Sequence, residues 1–277
     1  MASRLVCGKY ALSLERPLVM GIVNVTPDSF SDGGKFPDSR AAIMHARRHV
    51  EDGADILDIG GESTRPGAKP ASLGEELDRV MPIIEALASS GVPISIDTQK
   101  PEVMRAALNG GASMVNDVNA LQAPGALQVV ASSNAGVCLM HKQGTPETMQ
   151  QQPEYADVVG EVREFLADRA NAVMATGVKA ERIVIDPGFG FGKSVAHNLT
   201  LLRNLYHFHE LGFPVLAGLS RKSTLGAITG REVGERMAAS VAAALIAAQK
   251  GAKILRVHDV RETVDALKIL DAVGGES

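Results

Sequence analysis

Several short apolar runs in this chain end in a polar residue that could bind a small molecule. Residues 18–23 end at the amide of Asn24, and residues 94–96 end at the carboxylate of Asp97. The other polar residues at the ends of such runs are Asp58, Asn116, Asp186, Lys222, Arg256 and His258. Carboxylate and amide oxygens accept hydrogen bonds from a flat heterocycle edged with N–H donors, and a lysine can donate to the same ring. These residue types predict a heterocycle site if the fold brings the ends together.

A second set of residues suits an anion such as phosphate or diphosphate. It consists of Arg65, Arg256, His258, the hydroxyls of Ser63 and Thr64, and the amide of Asn24. Arginine binds phosphate oxygens through paired N–H donors. A diphosphate beside an amide oxygen commonly recruits Mg²⁺, which prefers oxygen ligands. Together the two sets describe a ring and the diphosphate group that leaves it.

Eight buried-type strands alternate with helical segments along the chain. The predicted strands are residues 18–23, 54–59, 93–97, 113–117, 136–140, 182–186, 214–218 and 253–258. The 277 residues divided among eight units give about 35 residues each, which suits a strand, a helix and two loops. The pattern predicts a (β/α)8 barrel, with residues 1–277 as one domain, residues 5–14 as a hairpin at the bottom, and a helix that runs to Leu211. A doubly wound open sheet is the alternative, but eight units favour closure.

In a (β/α)8 barrel the loops after the strands share one rim, where active sites lie. The polar strand ends should therefore converge on one mouth. Between residues 187 and 194, the sequence superficially resembles a phosphate-binding P-loop, but Pro187 stands where that spacing needs a glycine. His45 and His49 are predicted to lie on a solvated helix face, since no third metal ligand is nearby. His141 lies on the predicted rim without an evident partner, and Phe189 and Phe191 could either pack the loop or line an aromatic substrate.

Composition excludes several classes of protein. A net charge of −4 lacks the massed basic face that nucleic-acid binding requires. Cys7 and Cys138 are too few for a disulfide framework, which favours a reducing cytoplasm. The first residues lack the apolar core of a signal peptide, and the longest apolar run, 241–248, is far shorter than the ~20 residues that span a bilayer. We therefore expect no nucleic acid and no membrane among the partners.

Seven motifs spread from the first strand to the eighth resemble the bacterial dihydropteroate synthase family, and the similarity covers nearly the whole chain. They are residues 21–34, 58–67, 95–97, 116–117, 185–193, 220–223 and 256–258. The resemblance implies a barrel enzyme of folate synthesis that joins 6-hydroxymethyl-7,8-dihydropterin diphosphate to p-aminobenzoate, giving dihydropteroate and diphosphate. It also implies Mg²⁺ and a homodimer, in which the alanine-rich helix over residues 237–249 could serve the interface.

The resemblance assigns roles to residues of this chain. It implies pterin contacts by Asp97, Asn116, Asp186, Lys222, Met140 and Arg256. It implies diphosphate contacts by Asn24, Thr64, Arg65, Arg256 and His258, with Asn24 also binding the metal. The implied p-aminobenzoate contacts are Thr64, Pro66, Phe191, Lys222 and Ser223, the last at a helix start where backbone N–H groups favour a carboxylate. Lys222, Arg256, His258 and Asp97 are the catalytic candidates.

The hypothesis for the mechanism is dissociative, because an arylamine is a weak nucleophile and departure of diphosphate needs most of the help. Residues 27–34 are predicted to form a lid that keeps water from the resulting cation, with Phe30 as an apolar contact. Two rivals remain open. One is a methyltetrahydrofolate:corrinoid methyltransferase, a class of enzyme that has no need of the anion-binding residues. The other is a catalytically silent pterin-binding homologue.

Overall fold

Parallel strands alternate with helices along this chain and close into a barrel. The computed structural model describes residues 3–26, 39–63, 69–144 and 153–274. Its barrel strands are β3 (Leu18–Asn24), β4 (Ile56–Gly60), β5 (Ile94–Asp97), β6 (Met114–Asp117), β7 (Gly136–Met140), β8 (Ile183–Asp186), β9 (Leu216–Ala217) and β10 (Ile254–Val257). The strands run in the order β8-β7-β6-β5-β4-β3-β10-β9. A parallel bridge between Ile185 and Val215 joins β8 to β9, so the predicted (β/α)8 barrel is confirmed and the open sheet is excluded.

Helices cover the outside of the barrel. They are α1 (Ser39–Glu51), α2 (Leu73–Leu87), α3 (Pro101–Gly110), α4 (Ala126–Ala131), α5 (Val158–Met174), α6 (Val195–Arg203), α7 (Ser223–Thr229), α8 (Met237–Gln249) and α9 (Val260–Gly274). Among the described residues, no helix combines the length and apolarity needed to cross a membrane.

The predicted helix to Leu211 is shorter than expected. α6 ends at Arg203, and a 3-10 helix follows over Leu205–Leu211. The backbone N–H and the side chain of Asn204 both donate to the Thr200 carbonyl oxygen, at 3.1 Å and 2.9 Å. After Asn204 the bonding changes to the 3-10 pattern, in which His207 N–H donates to the Asn204 carbonyl oxygen at 3.1 Å. Apolar spacing does not distinguish this pattern from a continuing α-helix.

The N-terminal hairpin plugs the bottom of the barrel, as predicted. β1 (Arg4–Cys7) pairs with β2 (Tyr10–Ser13), and Gly8 N–H at the turn donates to the Asn134 carbonyl oxygen at 2.9 Å. Leu5 and Cys7 are fully buried among side chains from inside the barrel. The hairpin thus seals the end opposite the strand termini and supplies part of the interior core.

Alternation along the strands decides which residues enter the barrel. Successive side chains of a strand point to opposite faces. Residues of the lower interior core are Ile56, Met114, Cys138, Val184 and Ile254. Two positions further along these strands stand Asp58, Asn116, Met140, Asp186 and Arg256. The polar residues of the mouth therefore share the inward face with an apolar core immediately below them.

The expectation for His49 is wrong, because this side chain is buried. His49 is only 3% exposed, and its Nε2 lies 3.2 Å from the Ile22 carbonyl oxygen. A Cβ at Gly21 would lie 3.0 Å from the imidazole, so a strand glycine provides the space for the ring. Burial lowers the pKa of His49 to about 4, which keeps it neutral.

Candidate active site

A row of polar strand ends crosses one side of the barrel mouth. Asn24 is in register with Gly60, Gly60 with Asp97, and Asp97 with Asn116. A Cβ added at Gly60 would lie 3.6 Å from Asp97 Oδ2 and 3.7 Å from Asn24 Oδ1. The glycine thus leaves a gap between two oxygen-bearing side chains, and the row presents an amide, a gap, a carboxylate and a second amide.

Asp186 and Lys222 contribute opposite charges to the mouth. Asp186 is in register with Met140, which is buried, and its Oδ1 accepts a hydrogen bond from Gly188 N–H at 2.7 Å. Burial raises the pKa of Asp186 to about 6, although the Gly188 bond and Lys222 oppose the shift. Burial also lowers the pKa of Lys222 to about 8, with Arg256 adding to the effect. Asp186 and Lys222 are therefore charged at the same time only within a window around neutral pH.

Lys222 lies over the ring of Phe191. Its Nζ is 4.0 Å from the ring centroid, which is within the range of a cation–π interaction. Phe189 is instead buried at 1% exposure in the core. The alternative left open by the sequence is therefore resolved differently for the two rings: Phe189 packs the loop, and Phe191 lies at the mouth.

Arg256 links two carboxylates across the barrel. Its Nε donates to Asp58 Oδ2 at 2.6 Å, and its Nη2 donates to Asp97 Oδ2 at 2.7 Å. The same Asp58 oxygen accepts from Asn116 Nδ2 at 3.1 Å. The buried Asp58 carboxylate therefore holds Arg256 and Asn116 directly, and Arg256 in turn binds Asp97.

Burial and charge act against each other in this network. Burial raises the pKa of Asp97 to about 7, and Arg256 limits that rise. Burial opposes the charge of Arg256, but Asp58 and Asp97 outweigh it and raise its pKa above the usual range. Arg256 consequently stays charged, and its departure from Asp97 would make that carboxylate easier to protonate.

His258 is fixed by the loop after β9. Ser220 Oγ lies 3.0 Å from His258 Nδ1 and accepts a hydrogen bond from the His258 backbone N–H at 3.2 Å. Ser223 is exposed and is the first residue of α7, directly after Lys222. The structure thus brings the catalytic candidates Lys222, Arg256, His258 and Asp97 to the same end of the barrel.

Some predicted site residues lie outside the described residues. They are Thr64, Arg65 and Pro66 in the loop after β4, and residues 27–34, including Phe30, after β3. The base of the β4 loop is described: Glu62 Oε2 accepts from Ala71 N–H at 3.1 Å and binds Lys100. Lys100 also donates to Glu76 Oε2 at 2.6 Å. A half-buried ion-pair cluster therefore joins the two ends of that loop.

Sequence reasoning missed Lys100 and Lys193, and it named Asp58 as a polar strand end without its part as the partner of Arg256. Asp58 had a signal, since it stands between Ile56 and Gly60 on the inward face of its strand. Lys193 lies within the stretch rejected as a P-loop, and its partner is His141, for which the sequence showed no evident partner. These contacts join residues far apart in the chain, so spacing alone gave no signal for them.

The residues around Asn24 fit a metal ion that a diphosphate helps to hold. In the described ranges, no group of three or more His, Cys, Asp or Glu side chains could hold a metal on its own. Mg²⁺ usually keeps waters and binds one or two protein oxygens together with substrate phosphates. The Asn24 amide oxygen beside the gap at Gly60 suits that arrangement.

The fold and the mouth define a (β/α)8 barrel whose strand ends carry acceptors and cations for a small heterocyclic substrate. The family model described as "Pterin binding enzyme" matches residues 20–258. The dihydropteroate synthase of Escherichia coli (strain K12) is 48% identical over 263 residues, covering 95% of this chain and 93% of that protein.

Solved structures agree with the sequence comparison. Xanthomonas albilineans dihydropteroate synthase with 4-aminobenzoic acid matches with a TM-score of 0.94 and 55% identity, covering 100% of both chains. The enzyme from the same organism in complex with 7,8-dihydropteroate matches with a TM-score of 0.91 and 53% identity, covering 99% of this chain and 100% of that chain. The present chain therefore belongs to the pterin-binding enzymes and, within them, to the dihydropteroate synthase family.

Proposed function

We propose that this chain condenses 6-hydroxymethyl-7,8-dihydropterin diphosphate with p-aminobenzoate, giving 7,8-dihydropteroate and diphosphate in folate biosynthesis. The reaction is a group transfer in which the arylamine nitrogen replaces diphosphate on the pterin methylene carbon. The observation that carries the proposal is the convergence of Asp97, Asn116 and Asp186 with Lys222 on one mouth. The family relatives solved with 4-aminobenzoic acid and with 7,8-dihydropteroate support the same substrates.

The pterin ring is assigned to the deep part of the mouth. Its ring carries N–H donors that Asp186, Asp97 and the Asn116 amide can accept, while Lys222 donates to a ring oxygen or nitrogen. Met140 is buried beside Asp186 and offers an apolar contact. A ring in this position competes with Arg256 for the Asp97 carboxylate. Once the ring has displaced it, Arg256 is free to face the ring and the leaving group.

The diphosphate is assigned to the side of the mouth that holds Asn24. Arg256 and His258 supply donors there, and Thr64 and Arg65 extend the set as sequence-based assignments. Asn24 would hold Mg²⁺ together with the diphosphate oxygens. The ion supplies Lewis-acid stabilisation of the negative charge that develops on the leaving group.

The leaving group departs first in the proposed mechanism. The C–O bond to diphosphate breaks with its electron pair on oxygen, where Arg256 and His258 stabilise the developing charge. The pterin ring stabilises the remaining cation. The negative Asp97 carboxylate, which faces the ring in this proposal, favours the positive charge on it. The arylamine nitrogen then attacks the methylene carbon, and its proton passes to the released diphosphate or to water.

The p-aminobenzoate site is assigned to the outer part of the mouth. Phe191 provides an aromatic face, and Lys222 and Ser223 lie at the start of α7. Thr64 and Pro66 complete this pocket as sequence-based assignments. The methyltransferase rival is excluded by the family assignment, whereas a silent homologue is addressed by the assay below.

The decisive assay is diphosphate release by purified protein. The protein is mixed with the pterin diphosphate, p-aminobenzoate and Mg²⁺, and diphosphate and dihydropteroate are both quantified. Equal amounts of the two products support the proposed function. Pterin binding without either product would identify a silent homologue, and omission of p-aminobenzoate is the control for simple hydrolysis.

We also propose a cytoplasmic homodimer. Cys7 and Cys138 are buried free thiols, which suits a reducing compartment. Adjacent helices α7, α8 and α9 expose apolar side chains, namely Ile228, Met237, Ile246, Ile269 and Val273. An interface between two copies would remove such side chains from water.

A further inference from the structure

The loop after β8 contains a buried lysine to which the proposed reaction assigns no part. Lys193 is 2% exposed. Its Nζ lies 2.9 Å from His141 Nδ1 and 3.0 Å from each of the carbonyl oxygens of Gly188 and Phe191. A lysine ammonium has three N–H donors, so each donor has one close acceptor. Such complete pairing is what a buried polar group requires to be tolerated, and burial lowers the pKa of Lys193 to about 7.

Phe191 is held on both sides by these contacts. Lys193 binds the Phe191 carbonyl oxygen, and the preceding Gly190 N–H donates to Asn198 Oδ1 at 2.8 Å. The Phe191 N–H itself donates to the Gly188 carbonyl oxygen at 3.1 Å. The peptide groups around Phe191 are therefore fixed by buried side chains, and its ring remains directed at Lys222 Nζ.

Close backbone contact fixes the whole loop against the strand end that carries His141. Gly188 has a φ of +71°, and a Cβ there would lie 1.9 Å from the His141 carbonyl oxygen. Gly192 has a φ of +65°, and a Cβ there would lie 2.3 Å from the Gln143 carbonyl oxygen. Only glycine fits these positions. The loop after β8 thus lies on the backbone after β7, and Lys193 joins the two.

We propose that Lys193 and His141 form a positioning pair that fixes Phe191 beneath the Lys222 ammonium and thereby sets the affinity for p-aminobenzoate. His141 must be neutral for its Nδ1 to accept from Lys193. Burial, reinforced by Lys193, lowers the pKa of His141 to about 3, which agrees with that role. This inference rests on the proposed function, because it concerns the second substrate of the same site.

The first test compares Lys193→Met with Lys179→Met. Met keeps the length and apolar volume of the buried stem but removes the donors, whereas Lys179 is exposed before the start of β8, at the opposite end of that strand from the loop. Lys193→Met should raise KM for p-aminobenzoate about tenfold, because a displaced ring no longer forms the pocket. Its affinity for the pterin substrate, measured by calorimetry, should stay within about twofold. Unchanged KM, or equal losses for both substrates, would overturn the positioning pair.

A double-mutant cycle asks whether Lys193 acts through Phe191. Phe191→Leu alone should raise KM for p-aminobenzoate, and adding Lys193→Met should then change KM by less than about twofold. Independent, additive effects of the two substitutions would contradict the inference. Circular dichroism and pterin affinity show whether each variant is folded.

A milder pair of variants applies if Lys193→Met fails to fold. His141→Asn places an amide acceptor near the position of Nδ1, whereas His141→Leu removes the acceptor. The Asn variant should keep KM for p-aminobenzoate within about threefold of the wild type and the Leu variant should not. Equal behaviour of the two variants would refute the pair. Absence of turnover in the wild type contradicts the proposed function, whereas an active wild type unaffected by these substitutions contradicts only the positioning pair.

Discussion

Arg256 reaches across the barrel to Asp97, and its Nη2 donates to the carboxylate at 2.7 Å although 159 positions separate the two residues. In the proposed reaction Asp97 faces the pterin and Arg256 faces the diphosphate. The contact between them therefore occupies acceptor capacity that the substrate needs. Substrate binding should exchange this ion pair for bonds from the pterin ring.

Asp58 should determine where Arg256 rests during that exchange. Asp58→Asn keeps a side-chain oxygen for Asn116 but removes the charge that holds Arg256 Nε. We expect kcat/KM for the pterin diphosphate to fall about tenfold to a hundredfold, consistent with ~1.5–3 kcal/mol for a hydrogen bond to a charged group. Steady-state kinetics give the ratio. Asp55→Asn, which removes the partner of exposed Arg16, is the control, and similar losses in both variants would contradict the assignment.

Lys222 and Asp97 should each be indispensable for turnover. Lys222→Ala removes a donor at the pterin and p-aminobenzoate sites, and Asp97→Ala removes an acceptor and the partner of Arg256. Each loss should reduce kcat/KM by about a thousandfold or more, the scale of a lost preorganised electrostatic contact. His45→Ala, on the exterior helix α1, should leave kinetics unchanged. An essential His45 together with a dispensable Asp97 would show that the site is wrongly placed.

The pH dependence of kcat/KM should be bell-shaped and narrow. Asp186 and Asp97 accept best when ionised, and burial raises their pKa values to about 6 and about 7, so activity falls as pH drops through that range. Lys222 donates when protonated, and burial lowers its pKa to about 8, so activity falls as pH rises through that value. kcat/KM reports the groups of the free enzyme.

The alkaline limb has its own check. Lys222→Arg keeps a positive charge at high pH, because arginine stays protonated. Its remaining activity should therefore persist above the pH at which the wild type declines. If activity declined at the same alkaline pH in the wild type and in Lys222→Arg, the titration of Lys222 would not be the cause of that decline.

A dissociative mechanism predicts C–O cleavage before attack by the amine. Pterin diphosphate labelled with oxygen-18 at the bridging position should show positional isotope exchange on the enzyme without p-aminobenzoate. Rapid quench should likewise detect pterin species that have lost diphosphate. Strict dependence of cleavage on the amine would favour concerted displacement instead.

The proposed dimer predicts that a charge on α8 produces monomers. Ile246 is 44% exposed on this alanine-rich helix, and Ile246→Glu would place a carboxylate in the interface. Sedimentation velocity should show the wild type at twice the mass of the variant. Met44→Glu on α1, where Met44 is 66% exposed, tests a general effect of added charge, and dimers in both variants would place the interface elsewhere.

The barrel could be derived from the sequence because its signals are local. Apolar runs of strand length, each followed by a polar end and a helix, predict both the alternation and the shared rim. The capping box of Ser72 and Glu75 at the start of α2 is another local signal, and both of its reciprocal bonds are present. Asp97, Asn116 and Asp186 could be nominated for the same reason, since a polar residue ending a buried strand is visible without knowing its neighbours.

Tertiary structure alone decided which of those residues touch and what state they are in. Arg256 meets Asp58 and Asp97, and Lys193 meets His141, through contacts between strands or loops that barrel closure brings together. The buried position of His49 likewise depends on the space at Gly21. Local sequence patterns record the order and amphipathicity of elements. They do not record the side-chain distances and burial that shift the pKa values of Asp97, Asp186 and Lys222, because those arise only when the strands are closed around a common axis.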